Sequence, residues 1–231
     1  QLPDVDVILV PIGGGGLISG VACAIKSINP RIKVYGVQAA GAPSMFNAVR
    51  HGKIERLDSV STIADGIAVK QPGENTFKLV SEYVDDIVTV SEDEISSAIL
   101  ALIEQHKMVA EGAGAVSVAA VMHNKVPVKG KRVVCVVSGG NIDVTILSRV
   151  IKRGLLMSGR SCQLTIELMD KPGQLKNVSR IIADLGGNVT SVHHERANEG
   201  SDVNGCYLRI ILETRNFEHI AQIKRALTDF G

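Results

Sequence analysis

Residues 5–20 read VDVILVPIGGGGLISG, and this stretch decides the fold of the first part of the chain. Residues 5–12 are rich in Val and Ile, which is typical of a buried parallel strand. Four glycines follow at residues 13–16, and a helix is predicted over residues 17–28. Because the next predicted strand covers residues 33–38, the stretch begins a βαβ unit and indicates an α/β fold with a parallel sheet.

The glycine run has the properties of an anion site. Glycines let a ligand approach the backbone closely, and the following helix presents free N–H groups and the positive end of its dipole. These properties suit a phosphate ester. The residues predicted to bind it are Gly13, Gly14, Gly15, Gly16 and Leu17. A nucleotide is disfavoured because the run lacks the Lys-Ser/Thr of a P-loop, and Gln38 stands where a dinucleotide-binding strand carries an acid; a flexible turn is the alternative.

The bulk composition excludes several classes of partner. The 231 residues carry a formal charge of +1, 3% aromatic residues and no Trp, so neither nucleic acid nor a membrane surface is an expected partner. No apolar stretch reaches the roughly 18 residues that span a membrane. The four cysteines form no C-x-x-C pair, which favours reduced core residues in a cytoplasmic protein.

The sequence pattern changes near residues 154–161, and two domains are predicted, residues 1–155 and residues 160–231. In the second domain the predicted elements follow the order β-α-β-β-α, with a polar loop at residues 198–204. One more strand would complete a ferredoxin-like βαββαβ unit. We expect that strand to be missing from the chain.

Four segments together resemble a known family. Residues 11–17 (PIGGGGL), 62–66 (TIADG), 109–114 (VAEGAG) and 137–142 (VSGGNI) are similar, in order and spacing, to motifs of fold-type II pyridoxal-phosphate enzymes. The group they resemble contains threonine ammonia-lyases, serine dehydratases and serine racemases, and the resemblance covers roughly residues 1–155. It implies part of a fold-type II catalytic domain, a mostly parallel open sheet, with pyridoxal 5'-phosphate as cofactor.

The resemblance implies roles for individual residues. Residues 13–17 hold the cofactor's phosphate, Ser138 with Gly139 lies at the pyridine nitrogen, and Glu111 lies near the ring and the substrate. A neutral hydroxyl does not hold that nitrogen protonated as an Asp would, which suits β-elimination better than transamination. The alternatives are a loop or capping serine at Ser138 and a helix N-terminal carboxylate at Glu111. Asp65 has no assigned role.

The family's Schiff-base lysine lies in an S-x-K-x-R-G-like segment ahead of the glycine loop. No such segment occurs in these 231 residues. We therefore expect the chain to be the C-terminal part of a parent enzyme and to be inactive by itself.

No metal ion is expected. Serine-racemase-like relatives bind a divalent cation with a carboxylate at the position of Gln38, whereas this chain has an amide there and Ser44 at another ligand position. The sequence leaves open whether carbonyl oxygens bind a monovalent ion. His193 and His194 are adjacent in a predicted strand, so their side chains point to opposite faces and do not form a metal-binding pair.

The second domain resembles an ACT domain through its element order and through residues 170–175 (DKPGQL). The resemblance implies that an amino acid, isoleucine or valine, binds at Gly173, Gln174 and Leu175 between two paired copies. We therefore expect a homo-oligomer, a dimer or a tetramer. The alternative is a module that only dimerises, because an exposed sheet edge favours pairing.

The resemblance implies that the parent enzyme deaminates L-threonine to 2-oxobutanoate and ammonia by β-elimination of water, as in isoleucine biosynthesis. L-serine, which would give pyruvate, is a further expected substrate. Two alternatives stay open. One is a serine racemase or serine dehydratase, and the other is a non-catalytic, amino-acid-binding regulatory protein.

Overall fold

The computed structural model describes residues 2–196 and 205–230, and the polar loop predicted at residues 198–204 lies outside them. The chain divides into two compact units, Gln1–Arg153 and Gly154–Gly231. Among the described residues the first unit contains a four-stranded sheet and the second a three-stranded sheet.

The sheet of the first unit is parallel, as the sequence predicts. Its described strands are β1 (Val7–Pro11), β2 (Lys33–Ala39), β3 (Asp86–Val90) and β4 (Val133–Cys135). They lie in the order β3-β2-β1-β4, and each neighbouring pair is parallel. All C-terminal strand ends therefore meet at one edge, which is where open α/β sheets bind ligands.

Helices follow the strands along the chain. They are α1 (Gly16–Ile28), α2 (Ser44–His51), α3 (Glu74–Tyr83), α4 (Glu92–His106), α5 (Gly112–Met122) and α6 (Val144–Met157), with a 3-10 helix at Asp65–Ile67. Residues 91–94 (SEDE) predict a capping box at the start of α4, and the structure contains it. The Glu94 N–H donates to the Ser91 hydroxyl, and the Ser91 N–H donates to the Glu94 carboxylate.

The side chains of β1 alternate between two hydrophobic clusters. Val7 and Leu9 belong to the cluster that includes residues of α4 and α5, whereas Ile8 and Val10 belong to the cluster that includes residues of α1. Every residue of β1 is buried, as expected of an interior strand in a sheet covered on both faces.

Two predicted boundaries are wrong. The apolar run at residues 132–137 predicts a strand of that length, but β4 covers only Val133–Cys135, the three residues that pair with Val7, Ile8 and Leu9 of β1. The sequence predicts a helix over residues 143–151 after β4, whereas α6 covers Val144–Met157. It passes through Gly154 because a glycine inside a helix costs only about 1 kcal/mol relative to alanine.

The second unit has the predicted β-α-β-β-α order. Its elements are β5 (Ser161–Met169), α7 (Gln174–Asp184), β6 (Asn188–Arg196), β7 (Gly205–Glu213) and α8 (Phe217–Phe230). Strand β7 is central and pairs antiparallel with β5 and with β6. Leu208 and Ile210 of β7 pack in one core cluster with Ile182 of α7 and Ile223 of α8, so the helices cover one face of the sheet.

All four cysteines are free; Cys206 is buried, and Cys23, Cys135 and Cys162 are half-buried. Burial raises the pKa of the Cys135 thiol to about 11, so this thiol is protonated at neutral pH. Within the described residues, none of the helices combines the length and the apolar character that crossing a membrane requires.

Candidate functional site

The glycine run joins β1 to α1 through one left-handed residue. Gly15 has a φ of 95° and is the N-cap of α1. A Cβ at Gly15 would lie 2.6 Å from Met45 Cε and 2.9 Å from Thr76 Cβ, so both conformation and space require glycine. A Cβ at Gly14 or Gly16 would meet no protein atom within 4 Å. A ligand can therefore reach the backbone beside Gly14 and Gly16.

Two hydroxyl groups orient the peptides of this loop. The Thr76 hydroxyl of α3 donates to Gly14 O at 2.6 Å, and the Ser19 hydroxyl of α1 donates to Gly15 O at 2.6 Å. In a trans peptide the C=O of one residue and the N–H of the next point in opposite directions. The two bonds therefore turn the N–H groups of Gly15 and Gly16 away from the hydroxyls.

The N–H groups of the loop are unpaired. The Ile12 N–H donates to Val37 O at 2.8 Å, but in the described part of the chain the N–H groups of residues 13–15 have no acceptor. Those of Gly16 and Leu17 belong to the first turn of α1, where a helix offers no internal acceptor. Free N–H groups at the positive end of a helix form a phosphate site. The loop thus fits the phosphate of pyridoxal 5'-phosphate.

Three segments of the family pattern meet at Glu111. Its N–H donates to Gly139 O at 3.1 Å. A Cβ at Gly139 would lie 2.5 Å from Glu111 Oε1, and a Cβ at Gly66 would lie 3.3 Å from the same oxygen. The two glycines therefore leave the space that the Glu111 carboxylate fills.

Glu111 is the N-cap of α5, but its side chain makes no capping hydrogen bond. The side chain is half-buried and lines a cavity of about 360 Å³ together with Asp65. Glu92, Asn141 and Arg149 line the same cavity. The Glu111 carboxylate is therefore available to a ligand and is not used to cap its own helix.

Ser138 follows β4 at the ligand-binding edge of the sheet. Strand β4 pairs with β1, and the Val136 N–H donates to Leu9 O at 3.0 Å. This pairing places Ser138 and Gly13 just beyond the ends of two neighbouring strands. The Ser138 side chain is exposed, and its hydroxyl makes no hydrogen bond within the described residues. It is free to bind a ring nitrogen.

Gln38 has a structural role at the end of β2. Its buried amide donates from Nε2 to Ile12 O at 3.2 Å and accepts at Oε1 from Phe46 N at 2.8 Å. A carboxylate could not make the first bond because it has no donor. Ser44 Oγ is buried and has no partner among the described residues. The expected absence of a divalent ion at this place stays a prediction.

The turn between β5 and α7 lines a second cavity, in the second unit. Gly173 has a φ of 95° and is the N-cap of α7, and a Cβ there would meet no protein atom within 4 Å. Gly173, Gln174 and Leu175 line a cavity of about 360 Å³. Gln174 Oε1 is buried and has no partner in the described part of the chain. The turn therefore combines accessible backbone with an unused acceptor, which suits an amino acid.

The structure adds residues that the sequence patterns did not indicate. Thr76 lies 62 residues from Gly14, so no local motif connects the two. Ser19 could have been inferred, because a serine hydroxyl in a helix commonly bonds the carbonyl four residues earlier. Arg149 and Glu92 line the cavity beside Glu111 but belong to none of the matched segments.

Comparisons with known proteins identify the families of both units. The family model described as "Pyridoxal-phosphate dependent enzyme" matches residues 1–139, and the ACT domain model matches residues 163–229. The chain is 53% identical over all its 231 residues to an L-threonine ammonia-lyase of Thermotoga maritima. It spans 57% of the length of that relative.

Solved structures are similar to part of the chain. The processed form of threonine deaminase isoform 2 from Solanum lycopersicum matches with a TM-score of 0.63 and 37% sequence identity. The match covers 68% of this chain and 44% of the chain of that structure. Maize serine racemase matches with a TM-score of 0.60 and 36% sequence identity, and the match covers 66% of this chain and 49% of the racemase chain. The predicted fold class and family are confirmed. The chain belongs to the pyridoxal-phosphate dependent enzyme family and carries an ACT domain in its second unit.

Proposed function

We propose that the protein deaminates L-threonine to 2-oxobutanoate and ammonia. The observation that carries the proposal is the loop at residues 13–16, whose unpaired N–H groups lie at the same sheet edge as Ser138. The 53% identity to an L-threonine ammonia-lyase across the whole chain supports the same substrate. Because the chain spans 57% of that relative, the activity is proposed for the complete gene product.

The phosphate is held by backbone donors. The donors are the N–H groups of Gly13, Gly14, Gly15, Gly16 and Leu17. The Thr76 and Ser19 hydroxyls hold the carbonyl groups of Gly14 and Gly15. The N–H groups that follow these carbonyls therefore point to the ligand side before the phosphate binds. A site with preset donors needs little reorganisation when the anion arrives.

Ser138, next to Gly139, sets the electronic character of the ring. Its hydroxyl would donate to the pyridine nitrogen and would supply no negative charge to hold that nitrogen protonated. The bound cofactor delocalises the negative charge that forms at the substrate's α-carbon. A serine at this position would therefore suit β-elimination of water better than transamination.

Glu111 contributes a carboxylate near the reacting atoms. Gly139 and Gly66 leave room for it, and it lines the cavity with Asn141 and Arg149. Its oxygens accept a hydrogen bond from the substrate or from the cofactor ring and so orient the bound group. Glu111→Gln should therefore keep cofactor binding while lowering turnover of threonine.

Turnover would also require a lysine that holds the cofactor covalently. The lysines of this chain stand in no segment that resembles the family's lysine motif. We therefore expect the 231-residue polypeptide by itself to bind the phosphate ester weakly and to leave threonine unchanged. Oxoacid formed by this polypeptide above a no-protein control would contradict that expectation.

The ACT unit is proposed to bind an amino-acid effector, isoleucine or valine, at Gly173, Gln174 and Leu175. The support is the cavity at the turn and the unused Gln174 Oε1. Calorimetric titration of the complete protein with each amino acid tests this. Heat of binding from either one supports the proposal, whereas no heat from both favours a module that only dimerises.

A serine racemase or serine dehydratase is the second candidate, because maize serine racemase is also a structural neighbour. The test supplies the complete, cofactor-loaded protein with L-threonine and L-serine in separate assays. 2-Oxobutanoate from threonine, with a higher kcat/KM than for pyruvate from serine, supports the first proposal. D-serine as the main product from L-serine would support the racemase, and no product from either would leave a non-catalytic amino-acid binder.

Two further expectations accompany the proposal. The cysteine pattern favours a cytoplasmic location, and the ACT unit favours a homo-oligomer, a dimer or a tetramer. Both stay predictions, and the second is checked by light scattering of the purified complete protein.

A further inference from the structure

We propose that Asp170, His194 and Cys206 of the second unit form a binding site for a zinc-like divalent metal ion. A carboxylate oxygen, a ring nitrogen and a sulfur from these residues lie within 4.8 Å of one another. The effector proposal does not use His194 or Cys206. A set of one carboxylate, one imidazole and one thiol is chemically suited to zinc, because a thiolate ligand disfavours Mg²⁺ and Ca²⁺.

The three ligands come from three neighbouring strands. Asp170 directly follows β5, Cys206 lies in β7, and His194 lies in β6. Cys206 is paired with Arg196 and His194 is paired with Leu208. Because alternate residues of a strand share a face, His194 is the diagonal neighbour of Cys206 on the same face. The antiparallel sheet therefore brings the imidazole and the thiol together.

Only a small movement of the side chains would bring the three ligand atoms to the separations found in a zinc site. His194 Nε2 lies 3.9 Å from Asp170 Oδ1. Tetrahedral ligands of zinc are roughly 3.3–3.6 Å apart, given metal–ligand bonds of about 2.0–2.3 Å. The side chains of His194 and Asp170 are 43% and 30% exposed, so they can rotate inward. Cys206 is only 2% exposed and gives the site a fixed ligand on the central strand.

Arg196 orients the carboxylate and leaves one oxygen for the metal. Its Nε lies 2.8 Å from Asp170 Oδ2, whereas Oδ1 is the oxygen near His194. Ligating carboxylates commonly have such a hydrogen-bonded partner, which fixes their orientation. The negative charges of Asp170 and of a metal-bound Cys206 thiolate offset the positive charges of Arg196 and the ion.

Three protein ligands leave one of four zinc positions open. Asp170, His194 and Cys206 line the same cavity of about 360 Å³ as Gln174, whose buried Oε1 has no partner within the described residues. The site is therefore open to water or to a small ligand that enters the cavity.

The test is calorimetric titration with ZnCl₂ of the complete, cofactor-loaded protein after treatment with a chelator. We expect wild type to bind zinc and His194→Gln to raise the Kd at least about tenfold. Cys206→Ser should have a similar effect and should remove the thiolate-to-metal absorption seen when Co²⁺ replaces zinc. The matched controls are His193→Gln, on the opposite face of β6, and Cys162→Ser in β5; both should keep the wild-type Kd.

The proposal is overturned if wild type binds no zinc, if His194→Gln binds zinc as tightly as wild type, or if His193→Gln weakens binding equally. Should Cys206→Ser fail to fold, His194→Gln and Asp170→Asn decide, because these two side chains are partly exposed. The titration contains no amino acid. Its failure therefore leaves the effector proposal standing, and a zinc-binding protein that ignores isoleucine and valine would refute the effector proposal alone.

Discussion

The Thr76 hydroxyl donates a 2.6 Å hydrogen bond to the carbonyl oxygen of Gly14. Because the Gly14 carbonyl and the Gly15 N–H belong to one peptide, a side chain of α3 sets the direction of a donor in the glycine loop. The affinity for a phosphate ester should then depend on a residue that points away from the phosphate.

Thr76→Val tests this relationship. The variant keeps the shape of the side chain and removes a hydrogen bond of about 1 kcal/mol, so the Kd for pyridoxal phosphate should rise roughly fivefold. The measurement is a titration of the complete apoprotein with the cofactor. Thr228→Val is the matched control, because the Thr228 hydroxyl donates to Lys224 O in α8 of the second unit. Equal Kd values for Thr76→Val and wild type would show that the loop orients itself without Thr76.

Gly15→Ala should lower the stability of the protein, whereas Gly14→Ala should lower its affinity for the cofactor. At Gly15 the added Cβ meets Met45 and Thr76 at a positive φ, so we expect a loss of about 1–3 kcal/mol in stability. At Gly14 the added Cβ meets no protein atom within 4 Å. That variant should keep its stability within about 0.5 kcal/mol but lose cofactor affinity, because the methyl group enters the ligand's space.

The melting temperature of the apoprotein and the Kd for pyridoxal phosphate separate the two variants. Gly14→Ala should have the same melting temperature as wild type and should bind the cofactor more weakly. If Gly14→Ala bound the cofactor as wild type does, the phosphate would have to lie elsewhere.

Gly139→Ala should act through Glu111. The added Cβ would lie 2.5 Å from Glu111 Oε1 and 2.7 Å from its Cδ, so the carboxylate has to move. We expect kcat/KM for threonine to fall at least about tenfold, which corresponds to about 1.4 kcal/mol. In a double-mutant cycle, Gly139→Ala should cause little further loss once Glu111 is alanine. Additive losses in the cycle would show that Gly139 acts independently of Glu111.

Asp85 should make the first unit sensitive to acid. Burial raises the pKa of Asp85, but hydrogen bonds from Lys26, Lys33 and the Val34 N–H outweigh burial and hold the pKa below its usual value. The Nζ atoms of the two lysines lie 2.6 and 2.8 Å from its carboxylate. Because the folded-state pKa is lowered, this stabilisation is complete above the unfolded-state pKa of about 3.9 and is lost as the pH falls through the folded-state value.

Asp85→Asn should therefore cost about 1–3 kcal/mol at pH 7, and the difference from wild type should shrink below about pH 4. Melting temperatures measured between pH 7 and pH 3 give the comparison. Asp86→Asn is the control, because Asp86 is half-exposed and lies 3.4 Å from Arg50; exposed pairs contribute about 0–1 kcal/mol. If the melting temperatures of Asp85→Asn and wild type differed by the same amount at every pH, the effect of the substitution would not come from the charge of Asp85.

The sequence predicts most of the fold because its signals are local. The apolar run before the glycines, the capping box at Ser91 and Glu94, and the β-α-β-β-α order of the second unit each occupy one short segment, and all three are found in the structure. The ends of β4 and α6 cannot be read from a local pattern, because they depend on contacts with other parts of the structure. Strand β4 ends where its pairing with β1 ends, and α6 passes through a glycine that a local rule treats as an end.

The candidate sites were predictable only where a family motif marks them. Gly14 and Glu111 stand in such motifs, and the structure shows what surrounds them. Thr76 has no motif, because its hydrogen bond to Gly14 exists only after α3 packs beside the loop. Likewise, the adjacent pair His193 and His194 gave no metal site, whereas the sheet brings His194 to residues of two other strands.

The most direct test of the central claim measures products and cofactor in one sample of the complete protein supplied with L-threonine. We predict that protein holding pyridoxal phosphate releases equal amounts of 2-oxobutanoate and ammonia, and that each molecule of threonine consumed gives one of each. Fully cofactor-loaded protein that leaves L-threonine unconsumed would contradict it.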